Sequence, residues 1–406
     1  MPYLTRKLGL SAFGEYSFLI AIIIYPTMLI NFGFDTTSTV TIARLRRNKL
    51  LLSEYICSVY ILKVFFIIVS ISLFIIAYIL GLIDFHVLVM LAAFFPKLIS
   101  LALASTYVFQ GFDLVKQMAS ITIITKLISL PFVFIFINEP DDLLIACLIY
   151  SGTFLLTSLV AIYYLSRKRL FYLVMPRWKT VRRSFIEGYI IFKVQCATSV
   201  YFNSIPVILG VFHSSESVGI YNVANTLKGV VINLVSSVPK ALFPKVSNLV
   251  ATGKEDEATT LLIYTFIRLF ICIVLFVLGS FFISPYLIPL VFGNEFISAS
   301  FVFNILLIAI LMSVTNNFLG VQSLIPLGFK ERFSEAVVKS SILAIFGIVP
   351  LVYFFDSVGG ALGVIFSEVL VCYFLLTVHR KYRNVNILNA ILRCNKKLLF
   401  RRWMNE

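Results

Sequence analysis

Charge is what this sequence is short of. Only 13% of its 406 residues are Asp, Glu, Lys or Arg, while 60% are hydrophobic. A soluble domain is typically about half apolar and a quarter charged. Too little polar surface exists here to cover a globule of this size, so a water-soluble enzyme is excluded. Intrinsic disorder is excluded on the same ground. Glycine, at 19 residues, is too sparse for a collagen-like chain, and 6 cysteines are too few for a disulfide scaffold. Those cysteines (Cys57, Cys147, Cys196, Cys272, Cys372, Cys394) lie mostly in apolar runs without metal-ligand or pairing spacing, and read as small apolar fillers. The 3 histidines, His86, His213 and His379, stand near loop ends. No Ser–His–Asp set, zinc spacing or phosphate-cradling glycine loop appears, so neither catalysis nor a metal is expected. What remains is an all-α polytopic membrane protein.

Apolar runs of about 20 residues, the length that crosses a bilayer, occur eleven times: near 12–34, 55–81, 86–109, 117–138, 142–166, 185–211, 217–248, 258–281, 297–321, 334–355 and 358–378. The stretch 281–296, with Pro285, Pro289 and Gly293, finishes the eighth span and then turns. The spans run nearly end to end and leave no room for a soluble domain.

The formal net charge of +15 is spread over short loops rather than gathered in one patch, which points to topology and not to nucleic acid. Between spans, basic and base-free loops alternate. Arg44, Arg46, Arg47 and Lys49 precede a loop at Asp84 with no base. Lys116 precedes the acidic loop at Glu139, Asp141 and Asp142. Residues 167–183 carry seven bases (Arg167, Lys168, Arg169, Arg177, Lys179, Arg182, Arg183), and the loop at His213 and Glu216 carries none. Lys254, then Lys330 and Arg332, then the tail 380–402 continue the basic series, against Glu295 and Asp356 on the other side. Basic loops face the cytoplasm, which puts the C-terminus inside. Eleven spans then put the N-terminus outside, despite Arg6 and Lys7. Either a short outer arm tolerates those charges or a further helix belongs upstream.

An internal repeat favours the second reading. At an offset of 205, Gly14 and Tyr16 in GEYSFLI fall on Gly219 and Tyr221 in GIYNVAN, Lys63 falls on Arg268, and Asp35 on Lys240. Gln110 and Lys116 in FQGFDLVK resemble Gln322 and Lys330 in VQSLIPLGFK. The expected organisation is two pseudo-symmetric lobes, 1–166 and 185–379, joined by a basic linker 167–184 and followed by a basic tail 380–406 that can lie on an anionic membrane surface.

Ionisable residues inside spans are the candidate functional groups. Lys63, Lys126, Lys193 and Arg268 lie roughly 8–10 residues in from the basic side, and Lys97 and Lys228 about 11 residues in from the other. Each costs about 2.5–3.5 kcal/mol at the bilayer centre. They snorkel, pair with acids, or line a wet cavity. Deep acids are too few to neutralise the set: Glu368 is the clearest, with Asp35 and Glu15 near span ends and Glu187 in a first helical turn. A net-positive cavity that binds an anion is expected. Polar stripes recur at helical spacing: Asn222, Asn225, Gly229, Asn233, Ser236 and Lys240 in one span, Lys193, Cys196, Ser199 and Asn203 in another. They serve either helix–helix hydrogen bonding or a hydroxyl-rich ligand.

The stretches PYLTRKLGLSAFGEYSFLIAI (2–22), INFGFDTTSTVTIAR (30–44), YVFQGFDLVKQMA (107–119), VGIYNVANTLK (218–228) and PLVFGNEF (289–296) resemble O-antigen flippases of the Wzx type, within the superfamily that has the MATE-like fold. The likeness extends over nearly the whole chain. It implies twelve helices, of which the first is missing from this sequence, in a bacterial inner-membrane protein that is a transporter and not an enzyme. The implied cargo is an undecaprenyl-pyrophosphate-linked oligosaccharide, passed from the cytoplasmic to the outer leaflet by alternating access. Other polysaccharide-assembly proteins are implied as partners, and a proton or sodium gradient as the energy source, with no bound cofactor. On that reading Arg268, Lys63, Lys193, Lys228 and Lys97 meet the pyrophosphate. Asn222, Asn225, Asn233 and Asn203 meet the sugar, and Glu368, Asp35 and Glu15 are the ion-coupling acids. Three alternatives stay open. A MATE-like multidrug antiporter would suit an acidic cavity better, a membrane-embedded polymerase or ligase would need larger outer loops, and a lipid II flippase usually has more C-terminal helices.

Overall fold

The computed structural model describes residues 1–383; within it, the side chains of Val194, residues 197–202, Tyr382 and Arg383 are not described. The basic tail 384–406, with Cys394, lies outside the described residues. Long apolar runs satisfy their backbone groups internally as helices, and the described residues form helices and short connections only. In chain order these are α1 Pro2–Asn31, α2 Phe34–Leu45, α3 Lys49–Ile79, α4 Phe85–Ala92, α5 Phe95–Leu103, α6 Thr106–Gly111, α7 Val115–Phe136 and α8 Leu143–Arg167. They continue with α9 Trp178–Phe212, α10 Ser215–Ala251, α11 Glu255–Phe292, α12 Ala299–Asn317 and α13 Lys330–Arg383.

Nine stretches of described residues are long and apolar enough to cross a membrane. The last, Lys330–Lys381, has 52 residues, which would be roughly 78 Å of straight helix. It folds back at Asp356 (φ 56, ψ −136) and so supplies two crossings. Gly359 makes that close return feasible, because a Cβ there would sit 1.9 Å from the Leu351 carbonyl oxygen. With the long helix α9 added, the described residues hold about eleven helical passes, the number read from the apolar runs. Boundaries differ locally. The first crossing extends back to Pro2, a residue suited to an early helical position, and is kinked at Gly9 (φ 71). The run read as one span at 86–109 is α4, α5 and α6, broken at Phe94 and Ser105.

Contacts divide the chain into two compact units, Tyr3–Val207 and Ile208 onward. In the first, α5 packs on α8 and α2 on α6. The start of α9 belongs to this unit: Phe185 and Phe192 stack on Phe32 at 5.0 and 4.6 Å between ring centres. There Gly33 (φ 76) and Gly188 pass so closely that a Cβ on Gly188 would lie 2.8 Å from the Phe32 carbonyl oxygen. The second unit is built from α10, α11, α12 and the two arms of α13, with α12 central. A π-helical turn, Phe318–Leu324, extends α12. The first unit holds α1 to α8 with most of α9, and the second holds α10 to α13. Tyr16 on α1 and Tyr221 on α10 are each 2% exposed.

Candidate functional site

The helix break before α6 organises the polar interior of the first unit. Helix α5 ends at Ala104, leaving its last carbonyls without intrahelical donors. Lys63, on α3, answers them: its Nζ donates to Leu101 O at 3.0 Å and Ala104 O at 3.5 Å, and it lies 4.8 Å from the centre of the Tyr107 ring. The side chain is fully buried. Asp35 faces it electrostatically and accepts from the Thr106 hydroxyl at 3.3 Å. Nearby, Thr39 donates to Gln110 Oε1 (3.0 Å), Tyr55 to Ser38 Oγ (3.2 Å), and Tyr60 and Ser105 share a hydroxyl contact of 2.7 Å. Asp35, Ser38 and Thr39 come from residues 30–44, and Tyr107 and Gln110 from residues 107–119, two of the stretches singled out in the sequence. They are one packed polar interface, in which Gly111 lets α6 approach Ile42 of α2.

Lys97 is also buried, 4.9 and 5.2 Å from the Tyr150 and Phe154 ring centres, with Nζ 3.4 Å from Tyr150 Oη. Glu15 meets His86 at 2.9 Å. In the second unit, Glu368 is buried, and Asn316 Nδ2 donates to its carboxylate at 2.7 Å and its backbone carbonyl at 2.8 Å. Lys228 faces Glu368 electrostatically.

The remaining cations are open. Lys193 lies over Tyr189 (4.9 Å) and Arg268 over Tyr264 (4.0 Å), both with exposed side chains, and Lys126 is exposed as well. Among the described residues none of Lys63, Lys97, Lys126, Lys193, Lys228 and Arg268 forms an ion pair. Asn222 and Asn225 are half-buried and Asn233 exposed on one face of α10, where Gly229 has open space in front of it. Asn203 is half-buried on α9, while the side chain of Ser199 lies outside the described residues. Within single units, then, Lys63 feels the charge of Asp35 and Lys228 that of Glu368 without forming an ion pair; Lys193, Arg268 and Asn233 are left uncovered. Metal-binding clusters of His, Cys, Asp or Glu are absent among the described residues.

Sequence reasoning missed three groups. Asn316 carried a readable signal, an amide deep in an apolar run. Tyr150 and Phe154 carried none, since aromatics abound in every span. Glu54 was hidden at a helix start; its carboxylate accepts from the Arg177 backbone N–H (3.0 Å) and the Thr180 hydroxyl (2.7 Å).

Residues 1–250 match the family described as polysaccharide biosynthesis protein. The chain belongs to that family. A relative from Escherichia coli (strain K12) is 28% identical over 254 residues, covering 62% of this chain and 61% of the relative, which is less than two thirds of its length. One from Shigella dysenteriae is 26% identical over 383 residues, 93% of each chain. Both are named, provisionally, as O-antigen transporters. In fold, the chain is similar to an inward-facing multidrug resistance MATE family transporter of the MOP superfamily. The TM-score is 0.72 at 12% identity, over 97% of this chain and 93% of that one. The family member described here is therefore a multi-pass membrane protein with a MATE-like fold, and the fold alone leaves its cargo open.

Proposed function

We propose that this chain is a flippase. It carries undecaprenyl-pyrophosphate-linked O-antigen, or similar surface-polysaccharide repeat units, from the cytoplasmic to the outer leaflet of the bacterial inner membrane. The observation that carries the reading is that six cations inside spans form no ion pair among the described residues, and only Lys63 and Lys228 have a carboxylate facing them. A multidrug carrier of organic cations gains nothing from such a surplus, whereas a pyrophosphate head group supplies the missing negative charge. The names of the two relatives support the same cargo class. The C-terminus is cytoplasmic on the distribution of Lys and Arg.

In this reading the lobes 1–166 and 185–379, joined by 167–184, alternate access to the two leaflets. Arg268 and Lys193 engage the pyrophosphate first, because their side chains are uncovered. Lys97 contributes positive potential from a buried position and Lys228 from a half-buried one, and Lys63 does so from its seat on the α5 carbonyls. Asn222, Asn225, Asn233 and Asn203 offer donors to sugar hydroxyls. Glu368, Asp35 and Glu15 are the acids available for proton or sodium coupling. Other polysaccharide-assembly proteins are the expected partners.

The test is Arg268→Ala, with Arg268→Lys beside it. Loss of charge-assisted hydrogen bonds of about 1.5–3 kcal/mol lowers affinity about 10- to 150-fold. Surface O-antigen should fall sharply in the Ala variant, with partial recovery in the Lys variant and equal amounts of inserted protein. Unchanged surface polysaccharide in the Ala variant would remove Arg268 from the site.

A further inference from the structure

The segment joining α8 to α9 is tied down along its length. Its residues 168–177 cross the first turns of α3, where Ser53, Glu54 and Cys57 are buried. The Tyr172 N–H donates to Ser53 Oγ (2.9 Å), the Val174 N–H donates to Cys57 Sγ (3.4 Å), and the Cys57 thiol contacts Tyr172 O at 3.7 Å. The Arg177 N–H closes the series on Glu54 (3.0 Å), and Ser184 on α9 meets Ser58 at 2.8 Å. An extended segment sends alternate side chains to opposite sides. The backbone of Tyr172 and Val174 is held on α3, while Leu173 and Met175 between and after them stand away from it. These are 86% and 95% exposed, and Trp178, which follows, is 78% exposed. A fixed backbone presenting three large apolar side chains outward is an interaction surface rather than a packing defect.

Its charge indicates the occupant. Residues 167–183 carry seven bases and no acid. The neighbouring carboxylates are already engaged, Glu54 by Arg177 and Thr180, and Glu187 by Arg183 at 2.8 Å. Lys168, Arg169, Lys179 and Arg182 are exposed and form no ion pair among the described residues. Apolar groups including Trp, flanked by unpaired bases, match the boundary between anionic head groups and acyl chains. The segment also lies between two helices that enter the bilayer, which keeps it at that depth.

We propose that this strap is a docking site for anionic phospholipid. Leu173, Met175 and Trp178 insert at the head-group boundary, while Lys168, Arg169, Lys179 and Arg182 hold lipid phosphates. The inference is independent of the cargo assigned above. Its consequence is that lipid composition acts on the first unit through the strap, because the same residues that seat the strap also seat the start of α9.

The chain has 2 tryptophans, so Trp403→Phe leaves Trp178 as the reporter. The full chain carrying that change is placed in nanodiscs of equimolar phosphatidylglycerol and phosphatidylcholine, with brominated acyl chains on one lipid or on the other. Brominated phosphatidylglycerol should quench Trp178 emission at least about twofold more than brominated phosphatidylcholine. That preference should vanish when Lys168, Arg169, Lys179 and Arg182 are all replaced by Gln, a variant that spares Arg177 and Arg183. Equal quenching by both lipids in the unsubstituted strap would overturn the proposal, as would a preference that survives the four replacements. Emission quenched by iodide but by neither lipid would put the strap in water, and blue-shifted emission insensitive to both lipids would put protein over it. Either result overturns the proposal too.

Discussion

Replacing Lys63 with Met asks what a fully buried cation in a membrane protein is for. Met keeps the unbranched length and removes the charge. The ammonium makes one good hydrogen bond and one marginal one, at 3.0 and 3.5 Å, to carbonyls at the end of α5. Hydrogen bonds to charged groups contribute about 1.5–3 kcal/mol, and a cation at a helix C-terminus adds about 0.3–1. The Tyr107 face at 4.8 Å adds about 2 kcal/mol for a desolvated pair. Against these stands the cost of burying the ammonium, several kcal/mol, which the Met variant escapes. The variant instead leaves a carbonyl end without a donor and Asp35 without its facing cation. We expect a net loss of about 2–4 kcal/mol, or roughly 5–15 °C in Tm for a unit of this size. The assay is thermal unfolding in detergent followed with a thiol-reactive dye, since Cys57 and Cys147 are both buried in the first unit. An unchanged Tm combined with lost export would refute the reasoning and assign Lys63 to the cargo instead.

Two further predictions concern the first unit. Gly188→Ala should lower Tm by the equivalent of about 1–3 kcal/mol, because the new Cβ meets the Phe32 carbonyl at 2.8 Å. Gly152→Ala faces open space and should be neutral or stabilising by about 0.5–1 kcal/mol; equal effects at the two positions would contradict the packing described. Glu54→Ala should speed tryptic cleavage at Arg169 and Arg177 several-fold, with Glu54→Gln in between, read by gel after limited digestion. Identical cleavage in all three proteins would mean that the strap does not depend on Glu54.

Much of the architecture was legible because membrane physics simplifies the code. A crossing needs about 20 apolar residues, so the long apolar runs mark the long helices. Tyr16 and Tyr221, matched in the sequence, are both buried. The breaks at Phe94 and Ser105 were not read, because 86–109 is apolar enough to pass as one span despite Pro96, which opens α5. The break at Ser105 is sustained by Lys63, 38 residues away along the chain from its carbonyl partner. The same holds for the site. Sequence spacing found the deep cations, yet it could not separate Lys63 and Lys97, which the first unit encloses, from Arg268 and Lys193, whose side chains are exposed in their own units. That difference is set by which carbonyls and rings arrive from distant helices. Glu54 was unreadable for a related reason: a carboxylate near a helix start looks like an ordinary solvated end until the strap is seen to lie across it.

The most direct measurement of the central claim compares undecaprenyl pyrophosphate with undecaprenol for binding to the purified chain in nanodiscs. The two ligands share a tail and differ in negative charge. Unpaired intramembrane cations predict at least about tenfold tighter binding of the pyrophosphate, lost when Arg268 and Lys193 are both replaced by Ala. Equal binding of the two lipids, or a pyrophosphate preference untouched by those replacements, would contradict the account.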